Sequence, residues 1–190
     1  MDKGHKLIVF LLILSLTVGG CLCTAIADDD GHRQKRRYQK RERNHSEYNG
    51  RRDLPIVSEP VYTENCGTCH FAYQPGLLPS GSWEKTLAHL SDHFGESIEL
   101  DPESEKTISS FLRSNSANYS TRKLSLKIMK SLDKRTPLRI TEVPYIRREH
   151  HEIQTNVLTH ESIGSLSNCA ACHTGAEKGI YDDDNVTIPR

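Results

Sequence analysis

Two short stretches of the chain carry the same pattern, Cys66-Gly67-Thr68-Cys69-His70 and Cys169-Ala170-Ala171-Cys172-His173. Each sets two thiols three positions apart, with an imidazole directly after the second. Thiols at that spacing add to the two vinyl groups of a porphyrin, and the following His is held beneath the iron as its proximal ligand. The pattern therefore predicts two covalently attached haem c groups, one on Cys66 and Cys69 with His70, the other on Cys169 and Cys172 with His173. Two rival chemistries explain less. A single zinc ion on the four thiolates leaves the His after each pair without a purpose. A pair of redox-active disulfides lacks the strand-to-helix setting in which such sites lie. The likeness between the two ends is local and does not extend into a repeated domain.

Residues 1–27 read as an export signal. Lys3 and Lys6 precede an apolar run from Leu7 to Val18, and Ala25-Ile26-Ala27 offers a small-x-small cleavage site. The run is shorter than the roughly 20 residues of a spanning helix, so cleavage near Ala27 is expected rather than a retained anchor. Val18-Gly19-Gly20-Cys21 also resembles a lipoprotein box, which would make a lipidated Cys21 the mature terminus. Either cut exports the protein, and the periplasm is the expected compartment, where c-type haem is attached in bacteria.

From Asp28 to Ser58 nine Lys/Arg and six Asp/Glu occur with few apolar residues. Such a segment cannot offset its ordering entropy by burial, and a basic, flexible arm is expected. Residues 59–190 carry 14 basic and 18 acidic groups and form the expected dihaem domain, with two lobes, 59–135 and 136–190, as a further expectation. The 25 basic and 25 acidic residues of the whole chain balance, which removes the electrostatic case for a nucleic-acid partner. Weak contact of residues 28–52 with anionic phospholipid fits their local charge.

The fold class expected is mainly α: small cytochrome c-like helices and long loops around two haems. Trp83, Leu87, Leu90 and Phe94 recur at helical spacing, and Gly95 is the expected stop. Asp101-Pro102-Glu103 is a helix start, with Asp as cap, Pro at the first position and acid in the first turn. Ile108, Phe111 and Leu112 form that helix's apolar stripe. A third helix is expected over Arg122 to Leu132, with Leu124, Ile128, Met129 and Leu132 inward and Pro137 as its end. Leu138 to Ile146 reads as loop or extended chain, and the stretch beyond Tyr181 as irregular. A helical chain poor in aromatic residues has a limited core, and a small domain of this kind commonly relies on a cofactor.

The second axial ligands are the next question. Met129, the only Met besides the initiator, reads as core packing. The 17 residues after His173 contain neither His nor Met, so a distal ligand for the second iron must lie upstream. His89, His93, His150, His151 and His160 are the candidates. His93, at the expected end of its helix, has clearer access to an iron than His89 one turn earlier. Spacing does not separate His150 from its neighbour His151.

At this level of detail the chain resembles the bacterial dihaem cytochrome c family, small exported two-haem proteins. The resemblance runs from Leu54 to Arg190. It is carried by Tyr62 through Pro79 around the first motif, by Ser82-Trp83 and His93-Phe94-Gly95, and by Arg139-Ile140-Thr141-Glu142, Pro144-Tyr145, Arg147 and His150. It closes with Ser165 through Thr174 and Ile188-Pro189-Arg190. The resemblance implies bis-histidine haems and an electron-transfer role. It matches His93 and His150 to the family's distal ligands, which separates His150 from His151. Glu149 and Gln154 depart from the family's basic residue or Pro but lie beside the ligand positions. We expect His93 on the first haem and His150 on the second, the crossed pairing being the alternative.

The resemblance further implies electrons entering from a membrane b-type or quinol-linked cytochrome and leaving to a small soluble oxygen-binding haem protein. Two six-coordinate irons have no open position, so no catalytic residue is expected. The rival reading, a dihaem enzyme such as a peroxidase, needs a releasable distal ligand and a distal acid–base set, and no such set is evident.

Overall fold

The computed structural model describes residues 52–189. The expectations for the export signal, for Cys21 and for most of the basic arm therefore lie outside the described residues. Among the described residues there are six α-helices: α1 (Pro60–Cys66), α2 (Ser80–Ala88), α3 (Pro102–Asn115), α4 (Lys123–Leu132), α5 (Pro144–Glu149) and α6 (Thr155–Leu158). Short 3₁₀ turns and irregular chain join them. Among the described residues there is no strand, and the only bridges are isolated ones at His93–Glu96 and His173–Val186. No described helix is long and apolar enough to cross a membrane.

Local chemistry sets the helix starts. Pro60, Pro102 and Pro144 each stand in the first turn, where the missing N–H costs nothing. Asp101 caps α3 by accepting from the backbone N–H groups of Glu103 and Ser104, both at 3.0 Å. Helix α3 is the central element, packed against α1 and α2, while α4 packs on α5 and on the turn at Pro75–Leu77. Ile108 and Leu112 of α3 and Ile128 and Leu132 of α4 join Leu54, Tyr62, Leu77, Leu78, Trp83 and Val143 in one buried cluster. Each fully buried aliphatic side chain there contributes about 1.5–3 kcal/mol. Met129 packs against this cluster, partly buried.

The run Gln74–Pro79 is buried throughout. It follows the first motif directly, and polar groups from elsewhere in the chain satisfy it. Trp83 donates its indole N–H to the Pro75 carbonyl at 2.8 Å, and the Ser125 hydroxyl donates to the Gly76 carbonyl at 2.9 Å. Gln74 donates to the carbonyls of Ala176 and Glu177 at 2.8 and 3.2 Å. The segment after the first motif is thereby tied to the segment after the second.

Four expectations change. The helix expected to reach Gly95 ends at Ala88, where the His89 ring bonds the Lys85 carbonyl at 2.7 Å and a 3₁₀ turn follows. His89 and His93 therefore do not share a helix face, and Phe94 is 46% exposed rather than inward. Helix α4 ends at Leu132 as expected, but Asp133 and Lys134, with left-handed φ of 44° and 66°, stop it rather than Pro137. The stretch read as loop, Leu138 to Ile146, holds a 3₁₀ turn at Ile140–Glu142 and the start of α5, begun by Pro144 and too short to show an apolar period. Finally, Leu54 is fully buried and its N–H donates to the Gly179 carbonyl at 3.0 Å, so the packed region reaches back ahead of residue 59. Gly179 must be glycine there: its φ is +75° and a Cβ would overlap the Leu54 carbonyl.

Candidate haem sites

The first motif begins on the last residue of α1, so Cys66 is presented by a helix end and Cys69 lies exposed beyond a turn. The second motif lies on a 3₁₀ turn, Cys169–Ala171. All four thiols are unpaired. Burial pushes Cys66 and Cys169 up to about 11 each, and raises Cys172. Among the described residues no three His, Cys, Asp or Glu side chains gather into a metal-holding group, so the two Cys pairs do not converge on one ion.

The two motif imidazoles each face a second imidazole. The ring centroids of His70 and His93 are 6.5 Å apart with planes inclined by 27°. Those of His173 and His150 are 6.0 Å apart, inclined by 64°. A metal–imidazole bond is about 2 Å, and adding the distance from nitrogen to ring centre on both sides gives roughly 6–6.5 Å between trans imidazoles. Both pairs match the separation that an iron between them requires. His89, His151 and His160 are exposed, with ring nitrogens engaged by the Lys85 carbonyl, the Arg148 carbonyl and the Ser162 hydroxyl.

Proton placement fits as well. The His70 Nδ1 lies 2.8 Å from the Phe71 carbonyl and the His150 Nδ1 lies 2.7 Å from the Ile146 carbonyl. A carbonyl can only accept, so Nδ1 carries the proton in both rings and Nε2 keeps the lone pair a metal needs. Burial, then His70 and Arg139, hold His93 below the ordinary imidazole value. Burial and His150 do the same for His173, against the opposing pull of Asp182 and Asp53. Both shifts favour the neutral ring, the form a metal would need.

Both distal candidates stand just past a helical turn, off the helix itself. His150 is the residue closing α5. His93 follows the 3₁₀ turn Leu90–Asp92 and opens a tight reversal in which its N–H donates to Glu96 at 2.7 Å. Phe94 and Gly95, at the centre of that reversal, have φ of 60° and 102°. A left-handed Phe costs roughly 1–2 kcal/mol, and the Arg139 guanidinium stacked 3.9 Å from the Phe94 ring centre offsets part of it.

Two aromatic side chains went unnoticed in the sequence. Tyr73 lies 4.6 Å from the His70 ring, and Tyr181 lies 5.7 Å from the His173 ring. The position of Tyr73, three residues past a motif His, was the available signal. Tyr181 had none.

Residues 62–181 match the family model described as dihaem cytochrome c. No curated protein matches the chain. Among solved structures, a diheme cytochrome c from Rhodobacter sphaeroides shares 41% identity, covering 67% of this chain and 100% of its own, with a TM-score of 0.59. A diheme cytochrome type c from Shewanella baltica shares 35% identity over 70% of this chain and 95% of its own, with a TM-score of 0.57. Paired motifs, helical architecture and matched length converge: this chain belongs to the dihaem cytochrome c family and carries two covalently bound haem c groups.

Proposed function

We propose that the protein is an exported electron carrier in which His70 and His93 ligate one haem iron and His173 and His150 the other. The observation that carries this reading is the facing of each motif imidazole by a second one at 6.0–6.5 Å between ring centres. When bound, haem supplies reversible one-electron chemistry at its iron. The chain's part is to hold an imidazole on each side, to keep both rings neutral, and to tune potential through ligand type, burial and charge. Two imidazoles without a thioether favour low potentials relative to His/Met sites. The excess of 18 acidic over 14 basic groups in residues 59–190 acts in the same direction. With His70 and His93 holding one iron and His173 and His150 the other, neither iron would be open to a substrate, which supports a carrier over an enzyme.

The export-signal pattern at residues 1–27 supports a periplasmic location. The family resemblance supports a membrane b-type or quinol-linked cytochrome as donor and a small soluble oxygen-binding haem protein as acceptor. Residues 28–52, rich in Lys and Arg, suit weak contact with an anionic membrane surface. Electron paramagnetic resonance of the purified oxidised protein tests the ligand assignment. Two low-spin signals, with an intact mass carrying two haems, are expected. A high-spin haem in the untouched protein overturns it.

A further inference from the structure

The two proximal imidazoles differ in what holds the nitrogen remote from the ligand position. His70 Nδ1 has the Phe71 carbonyl at 2.8 Å, a neutral acceptor. His173 Nδ1 is buried and has no hydrogen-bond partner. A second orphan lies in the chain that wraps this ring. Asp182 is 7% exposed, and its Oδ2 is also buried without a partner, while its Oδ1 accepts from Asn185 at 2.7 Å. The wrapping segment is anchored on both sides of Asp182. Tyr181 packs its ring on His173, Val186 bridges to His173, and the Thr187 N–H donates to the Cys172 carbonyl at 2.9 Å. Asp53, the other carboxylate beside this ring, already accepts the Tyr181 N–H at 2.7 Å.

We propose that Asp182 is the positioning residue of the second haem, its free oxygen accepting the Nδ1–H of His173 once that imidazole is drawn onto iron. A buried carboxylate without a donor is costly, and so is a buried ring N–H without an acceptor. One hydrogen bond satisfies both. An ionised acceptor on the remote nitrogen makes the imidazole a stronger donor to the metal and stabilises the ferric state. The second haem is therefore the lower-potential of the two with respect to this contact, since His70 has only a carbonyl. That contact by itself favours electron transfer from the second haem to the first.

This inference rests on His173 being an axial ligand, and the experiment separates the two. Asp182→Asn and Asn185→Ala are prepared as haem-loaded full-length proteins, and both midpoint potentials and both low-spin signals are recorded. In Asp182→Asn one potential rises by about 59 mV, a tenfold shift of a one-electron equilibrium, and one low-spin signal moves while the other stays. Asn185→Ala, which unfastens the carboxylate without removing it, moves the same potential and the same signal. Should Asp182→Asn fail to load haem, Asn185→Ala and Asp182→Glu decide, Glu retaining the wild-type potentials more closely than Asn185→Ala. Two low-spin signals with both potentials unmoved in the variants that load haem overturn the inference alone. A high-spin haem in the untouched protein overturns the ligand reading and the inference with it.

Discussion

Tyr73 donates its hydroxyl to the carbonyl of Ser167 at 2.6 Å. The pair links a residue three positions past His70 to one two positions before Cys169, and the same Tyr ring packs on His70. Each motif is thus positioned partly by chain that belongs to the other. Tyr73→Phe keeps the ring and loses the bond, leaving the Ser167 carbonyl with the Cys169 N–H that it also accepts at 2.9 Å. The loss expected is about 1 kcal/mol, read by denaturant titration, with both low-spin haem signals retained. A variant that loses one haem would show that the bond, and not the ring, holds the site.

Gln74 is the second link and the more heavily committed one. It is fully buried, donates to Ala176 and Glu177, and accepts the Tyr181 hydroxyl. Gln74→Leu fills the volume but takes the acceptor from the half-buried Tyr181 hydroxyl and cuts both ties to the 176–177 backbone, although the Ala176 carbonyl keeps the Gly179 N–H. We expect a loss of about 3 kcal/mol, measurable as a fall in the denaturant midpoint at unchanged slope. A loss no larger than that of Tyr73→Phe would mean that water replaces the amide.

These two links mark where the sequence stops being legible. The motifs could be read because covalent attachment fixes residue type and spacing together. The start of α3 could be read because Asp101, Pro102 and Glu103 act within one turn. Gln74 carries no local signal, since its partners lie about 100 positions away. The end of α2 was misplaced because Leu90 and Phe94 continue the apolar spacing, whereas His89 closes the helix through its own ring. Helix α5, at six residues, gives too little periodicity to be seen, although it is what delivers His150.

Gly95 and Gly179 share left-handed backbone, with φ of +102° and +75°, but differ in surroundings. A Cβ at Gly95 meets nothing within 4 Å, so Gly95→Ala costs only the backbone term, about 1–2 kcal/mol. At Gly179 the new methyl overlaps the Leu54 carbonyl, which cannot rotate away because it is backbone. Gly179→Ala is expected to cost at least about 3 kcal/mol. Equal losses in the two variants would show that the approach of Leu54 to Gly179 is easily relieved.

Asp101 gives a pH-dependent contribution whose sign is set by its cap. Hydrogen bonds from the Ser104 side chain and backbone hold its carboxyl below the ordinary aspartate value in the folded protein, with the Glu103 N–H adding to them. A depressed folded value means stability that is present above the unfolded value and is lost as pH falls through the folded one. Wild type should exceed Asp101→Ala in melting temperature at neutral pH, and the gap should begin to narrow as pH falls below about 4, the unfolded aspartate value, and narrow fully only below the folded one. A gap that persists undiminished in acid would assign the effect to helix propensity and not to the charged cap.

The ligand assignment makes the most discriminating prediction. His93→Met and His150→Met each exchange an imidazole for a thioether opposite a retained proximal His. Each should convert one haem to His/Met character and raise its potential, because a thioether favours the ferrous state. The two variants should alter different haems, since His93 faces His70 while His150 faces His173. His89→Gln, His151→Gln and His160→Gln should leave both low-spin signals intact, because all three rings are exposed, whereas the rings that face the motif imidazoles are those of His93 and His150. If His151→Gln produced a high-spin haem while His150→Gln did not, the closing turn of α5 would have to present the other imidazole. If His93→Met and His150→Met altered the same haem, the pairing seen between these rings would not be the one that holds iron.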